Sequence, residues 1–360
     1  VSRKSLQVRH PFSMKRKKEL FILSSALLSI GLLAWVFSTL PIESVFTQFS
    51  SASPRLIYLY IISIIAMQTV LTWRWKYVLK SLDLENISFW KLNNYRLTGL
   101  AISFLTPTAK LGGEPVRAML LSKKEDVAFD QSFSSVLIDK TIDFTMSGLF
   151  FLVGIAAFLN TYSLSDSIRF WLLTVGILLV LFIVLFYARM LRGKHFLEPI
   201  LRHLKCHEWK PTRMLYYKAK DIEEIVIHFY HRDRKAYIIA TLISGLSWIV
   251  MFIEYYIAGL LVGVNLSLFQ IFLVFTFVGL AFIIPVPMAI GSLEAGQAGI
   301  FSLLGLGRAA GVGLSLVVRA KDILLTVIGL TVLTHTGFSL QSALIDEHLS
   351  EEDVEESDSQ

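Results

Sequence analysis

Charge is scarce in this sequence. Only 17% of its 360 residues are Asp, Glu, Lys or Arg, well below the roughly 25% usual for a soluble domain. Cysteine is nearly absent: the single Cys206 excludes an intrachain disulfide framework. The signatures of soluble catalysis are missing too. There is no GxxxxGK[ST] phosphate loop, no HExxH and no GxSxG elbow. No cofactor is expected, and any transport by this chain would be passive or ion-coupled rather than driven by an ATPase motif.

Apolar residues are what the sequence has in excess, at 54%. They run in blocks of about 20, the length that crosses a hydrocarbon core of about 30 Å. Six blocks are long enough, near residues 20–40, 56–75, 132–159, 170–188, 236–262 and 309–334. Two further stretches, 97–121 and 268–306, are broken by Pro and Gly and carry polar groups. The first block follows Lys15, Arg16, Lys17 and Lys18 but is longer than the apolar region of a signal peptide, so it reads as a retained span.

Loops rich in Lys and Arg stay in the cytoplasm. The basic arm 1–19, the cations Arg74, Lys76 and Lys80, the pair Lys123 and Lys124, and the basic stretch 189–235 mark that side. Connections 41–54 and 160–167 carry no Lys or Arg. Both termini are therefore expected in the cytoplasm, including the acidic tail 336–360. The net charge of +6 is explained by this bias and by anionic headgroups, so no nucleic-acid partner is expected.

Sliding the chain against itself by 180 residues gives an ungapped match. Gly99, Leu100, Ala101, Pro107, Ala109, Glu114 and Ser135 face Gly279, Leu280, Ala281, Pro287, Ala289, Glu294 and Ser315. With the charge-based topology, one copy enters from inside and the other from outside, as in transporters built from inverted repeats. Broken backbone at membrane depth persists only where it packs in protein or lines a wet cavity. The expected fold is all-α: a polytopic helical membrane protein with about six spans and two re-entrant hairpins. Its first membrane half is 20–188 and its second 236–335.

Three constellations carry the candidate chemistry. In the first, Pro107 ends a half-helix, Gly112 and Gly113 permit a tight turn, and Glu114 and Arg117 share a face of the next half-helix. Free N–H groups there can hold a phosphate with help from Lys110 and Arg117. The alternative is a packed turn in which Glu114 and Arg117 neutralise each other. In the second, Asp139, Lys140 and Asp143 lie within an apolar block, where charge is costly; they pair, line a hydrated cavity, or sit at the interface. In the third, Pro287, Gly291 and Glu294 precede Arg319, Lys321 and Asp322. The repeat sets Arg319 opposite Asp139. A network of Glu114, Arg117, Asp139, Glu294 and Arg319 is expected, against the alternative that Arg319 and Asp322 pair only with each other. His203, Cys206, His207, His228 and His231 have spacings that metal ligands use, but they sit in a basic solvated stretch and no metal is expected. Gly307 and Gly311 fit small-residue helix packing.

These motifs resemble the flippase-like membrane family related to the transmembrane region of lysylphosphatidylglycerol synthases. The resemblance rests on Pro107, Gly112, Gly113, Glu114 and Arg117, on Asp139 and Asp143, and on Pro285, Pro287, Gly291 and Glu294. Members commonly have two glycines where this chain has Met288 and Ala289. The resemblance implies a multi-pass protein of the bacterial cytoplasmic membrane whose partner is a phospholipid, aminoacylated or otherwise modified, with a possible protein partner in lipid modification. It implies lipid movement between leaflets. The leading reading of the residues adds a polar crevice between the hairpins, with Glu114 and Glu294 facing cationic parts of a headgroup and Arg117 and Arg319 its phosphate. The aminoacyl-transferase domain of bifunctional members has no room here, so lysyl transfer is not expected. Two rival readings stand beside it: a membrane-embedded lipid-modifying transferase or its subunit, and a non-transporting accessory protein of envelope assembly.

Overall fold

A computed structural model describes residues 53–106, 112–161, 165–205, 207–208, 210–283, 289 and 291–335. Among these residues there are eleven α-helices and no strand. They are α1 (Pro54–Lys80), α2 (Phe89–Leu105), α3 (Glu114–Glu125), α4 (Phe129–Thr161), α5 (Asp166–Met190), α6 (Glu198–His203), α7 (Lys210–Arg232), α8 (Arg234–Leu261), α9 (Leu268–Ile283), α10 (Ser292–Leu303) and α11 (Arg308–His335). Local chemistry explains several boundaries. Pro54 occupies the first position of α1, where its missing N–H is no loss. Asp233 caps α8 by accepting from the Ala236 N–H at 3.1 Å. The α3 helix has Glu114 in its first turn and Lys123 and Lys124 in its last, complementing its dipole, and stops at Asp126 in the left-handed conformation.

Four described helices are long and apolar enough to cross a membrane: α1, α4, α8, and the Arg169–Met190 part of α5. Six spans were expected. The block at 20–40 lies outside the described residues, and the last block forms α11, whose Arg319, Lys321 and Asp322 keep it out of that set. Large apolar side chains cover the outside of the bundle: Phe170, Trp171, Ile177, Leu178, Phe182 and Val184 of α5 are all exposed. Water does not tolerate such a surface on a monomer, whereas lipid does.

The order of helices repeats. Those of the α1–α4 series start at Pro54, Phe89, Glu114 and Phe129, and those of the α8–α11 series at Arg234, Leu268, Ser292 and Arg308. The corresponding starts are 180, 179, 178 and 179 residues apart. Packing follows the same scheme. Helix α1 packs on α8, α2 on α11 and α9 on α4, while α3 lies against α4 as α10 lies against α11. Arg74, late in α1, hydrogen-bonds Ser244 in the first half of α8. Tyr60 and Ile64, early in α1, share a core cluster with Ile257, Ala258 and Leu261 at the end of α8. These two helices therefore run antiparallel. So do α2 and α3, because Lys91 and Tyr95 at the start of α2 both reach Glu125 at the end of α3, at 3.1 and 2.6 Å.

The polar stretch 189–235 forms α6 and α7, and it is more than a solvated hairpin. Val226, Phe229 and Tyr230 are buried with Val78, Ile138, Ile142 and Met190, so the inner stripe of α7 closes one end of the α1–α4 core. The Glu223 carboxylate, on that buried side, receives the N–H groups of Phe196, Leu197 and Glu198 at 2.6, 2.6 and 3.0 Å. Glu223→Ala strands these donors. Its expected cost is about 1–3 kcal/mol, seen as faster hydrogen exchange and proteolysis across 191–205 with α1 and α8 still protected.

Candidate functional site

The site is built around Asp139, a carboxylate only 2% exposed in the first half of membrane-length α4. Such a charge is held inside a bundle only by strong compensation. Two guanidiniums supply it. Arg74 of α1 places Nε 2.7 Å from Asp139 Oδ1, and Arg117 of α3 places Nη2 2.9 Å from Oδ2. Asp143 lies one helical turn after Asp139 on the same face, which lets Arg74 bridge the two with Nη1 3.0 Å from Asp143. The same Nη1 donates to Ser244 Oγ at 2.9 Å, tying the pair to α8.

Arg117 is positioned by the turn before it. Gly113 donates its N–H to Ser103 Oγ at 2.8 Å, and the backbones of α2 and α3 touch here. A Cβ on Gly113 would lie 1.7 Å from the Gly99 carbonyl oxygen, and one on Gly99 would lie 2.9 Å from that of Gly113. No side chain fits between them. The guanidinium of Arg117 lies over the Trp75 ring, 3.7 Å from its centroid, a favourable cation–π geometry. Trp75 is itself anchored by Nε1 on Ser135 Oγ at 3.2 Å. Glu114 pairs with Lys140 Nζ at 2.8 Å and lies 3.7 Å from Arg117.

These side chains surround a cavity of about 200 Å³. Leu71, Gly99, Leu100, Ser103 and Phe104 form its less polar wall, and its charged lining adds Arg96 of α2 and Asp322 of α11. That volume lies below the ~300–1,000 Å³ of drug-sized pockets.

The second half repeats the positions with different charges. Position 139 corresponds to Arg319, 74 to Glu254 and 117 to Gln297. Arg319 is 1% exposed and grips Glu294 with two nitrogens, Nε at 2.6 Å and Nη2 at 2.9 Å, the geometry that suits a guanidinium best. Its Nη2 also donates to the Ala289 carbonyl at 2.9 Å. Glu294 in turn accepts the Gly291 N–H at 2.8 Å, capping α10. Glu254 meets Lys321 Nζ at 2.5 Å. Gly291 needs its glycine, with φ of 81°, but Ala289 also has a positive φ, 49°. Ala289 thus carries backbone strain. Ala289→Gly is expected to stabilise the protein by up to about 1 kcal/mol, read as a higher melting temperature in detergent.

The expected five-residue network resolves into two sets: Glu114, Arg117 and Asp139, joined by Lys140 and Asp143, and the pair Glu294 and Arg319. The alternative of an exclusive Arg319–Asp322 pair is corrected, because Arg319 holds Glu294 and Asp322 lines the first-half cavity. Gly112 sits half-buried in the turn before α3. Pro107, Lys110, Pro287 and Cys206 lie outside the described residues. Gly311 is a packing glycine, its Cα side close to the Gln297 carbonyl, whereas Gly307 has open space and a positive φ. Sequence reading missed Arg74 as a site residue by counting it with the interfacial cations, yet it is 3% exposed. The repeat offers the missed signal: Arg74 and Glu254 are charged residues at matching positions in two apolar blocks. Arg96 and Gln297 had no comparable mark.

Comparison with known proteins adds to this geometry. A family model described as "Lysylphosphatidylglycerol synthase TM region" matches residues 21–329. A "UPF0104 membrane protein" of Methanothermobacter thermautotrophicus is 24% identical over 307 residues, covering 82% of this chain and 89% of the relative. One from Pyrococcus horikoshii is 25% identical over 320 residues, covering 84% and 92%. One from Methanocaldococcus jannaschii is 27% identical over 145 residues, covering 40% and 42%.

Proposed function

This chain belongs to the lysylphosphatidylglycerol synthase transmembrane-region family, and on that premise we propose that it is a lipid translocase, moving a phospholipid or modified phospholipid between leaflets. The observation that carries the reading is the charged cavity. It is enclosed by α1–α4 of one half and Asp322 of the other, inside a bundle whose outer face is apolar. A headgroup crossing the bilayer needs such a polar compartment next to lipid, while its acyl chains stay outside.

In this reading the two halves are an inverted repeat. Block 20–40 and α11 complete six spans, and the helix pairs α2–α3 and α9–α10 are re-entrant hairpins broken near 107–111 and 284–290. The matching helix starts, the exchanged packing partners and the antiparallel course of α1 and α8 support it. Both termini face the cytoplasm, as the Lys and Arg bias requires. Glu114 and Glu294 set the charge of the path, and Arg117 and Arg319 hold phosphate when their ion pairs exchange with the headgroup. Asp139, Lys140 and Asp143 keep the cavity hydrated, Gly113 lets α2 and α3 pack closely, and Gly112 and Gly291 let the turns move. A protein that modifies the lipid is the natural partner.

The test is leaflet exchange of fluorescent phosphatidylglycerol and its lysyl derivative in liposomes carrying the purified protein. Faster exchange than in empty liposomes is expected, abolished by Glu114→Gln and by Arg319→Ala in folded protein. Exchange at the empty-liposome rate with folded wild type would remove the translocase reading.

A further inference from the structure

Six of the eight charged side chains that line the cavity are tied to one another in ion pairs. Arg96 and Asp322 are the other two. Arg96 is 8% exposed. It donates Nε to Thr72 Oγ1 at 3.1 Å and Nη2 to the Gln68 carbonyl at 3.3 Å and to the Gln68 side chain. All of these acceptors are neutral, and Nη1 has no partner among the described residues. Asp322 accepts Thr326 through its backbone carbonyl, and its carboxylate makes no ion pair or hydrogen bond among the described residues. Its neighbour Lys321 is turned to Glu254.

A buried guanidinium with no carboxylate in contact is expensive. The cost is relieved when a ligand supplies the missing anion, and phosphate is the anion that a guanidinium fork fits best. A carboxylate beside the same cavity asks for the opposite group, a cation with N–H donors. We infer that Arg96 and Asp322 are the first contact points for the headgroup, engaged before any ion pair exchanges, and that it is zwitterionic, of the phosphoethanolamine kind, with one phosphate diester and one ammonium.

The inference rests on the translocase reading for its lipid and narrows that reading's substrate. A purely anionic glycerol headgroup leaves Asp322 unanswered. A lysyl headgroup brings a second ammonium, and the other carboxylates of the cavity, Glu114, Asp139 and Asp143, are already held in ion pairs. Arg96 and Asp322 also belong to opposite halves. Their helices touch: Thr98 of α2 donates to the Gly329 carbonyl of α11 at 3.3 Å. A headgroup bound by both residues therefore bridges the repeat interface, where a change in packing would carry it.

The test is native mass spectrometry of the purified chain in detergent, titrated with phosphatidylethanolamine, phosphatidylglycerol and lysyl-phosphatidylglycerol of equal chain length. Phosphatidylethanolamine should bind at least about tenfold more tightly than either, the worth of one charge-assisted hydrogen bond. Asp322→Asn should bring phosphatidylethanolamine and phosphatidylglycerol to about equal affinity, and Arg96→Gln should weaken both by about tenfold or more. Equal binding by wild type, tightest binding of the lysyl lipid, or an unchanged preference in Asp322→Asn would overturn the assignment. If either variant fails to fold, the wild-type ratio decides alone. Binding of glycerophosphoethanolamine without any lipid binding would make this a site for the soluble ester and overturn the lipid assignment. Selective binding without leaflet exchange leaves the assignment standing and removes the translocase reading; exchange without selectivity does the reverse.

Discussion

Asp139→Asn is expected to lower stability by about 3–5 kcal/mol, the size of loss seen when one partner of a buried ion pair is removed. The carboxylate holds Arg74 at 2.7 Å and Arg117 at 2.9 Å, and all three are buried. The amide keeps the shape and removes the charge, leaving two guanidiniums facing each other across a neutral group. Arg74 retains Asp143, but Arg117 retains only Glu114 at 3.7 Å. Asp143→Asn is the control. The Asp143 side chain is 35% exposed and serves one partner, so its loss should cost about 1 kcal/mol or less after screening. Denaturant titration in detergent compares the two directly, and equal effects would show that Asp139 is not the keystone of the site.

Gly113→Ala should be nearly as damaging, for a steric reason. Its Cβ would fall 1.7 Å from the Gly99 carbonyl oxygen and 2.7 Å from Ser103 Oγ. Neither backbone can yield without separating α2 from α3, which displaces Glu114 and Arg117 together. A loss of about 3 kcal/mol, the upper range for overpacking, is expected, with loss of leaflet exchange. Gly279, the repeat counterpart of Gly99, meets nothing within 4 Å. Gly279→Ala should therefore stabilise α9 by about 0.5–1 kcal/mol through backbone entropy alone. Melting temperatures of the two variants should move in opposite directions. A tolerated Gly113→Ala would contradict the close contact of α2 and α3.

The parts of this architecture that depend on short-range periodicity were legible in the sequence. Apolar blocks gave α1, α4, α5 and α8, and Pro with Gly marked both interrupted segments. The constant offset linking Glu114 to Glu294 and Pro107 to Pro287 anticipated the matched helix order. Partner choice was not legible, because it is set by contacts distant in sequence. Arg74 and Asp139 are separated by 65 residues, and a cation six residues before the end of α1 reads by rule as interfacial. The cross-repeat network failed for the same reason: Glu294 is capped by its own turn and satisfied by Arg319 within the second half. The burial of α7 was partly readable, since Glu223, Val226 and Tyr230 are spaced for one helical face, but basic composition hid it.

The most direct test is whether the charged cavity opens to both sides of the membrane. With Cys206 replaced by Ser, Leu100→Cys places one thiol on the cavity wall in sealed proteoliposomes containing phosphatidylethanolamine. A membrane-impermeant maleimide is then added outside or trapped inside. A translocation path predicts labelling from each face. Labelling from neither face, or from one face only whatever the lipid, would mean that the ion pairs are a closed structural network and not a route for headgroups.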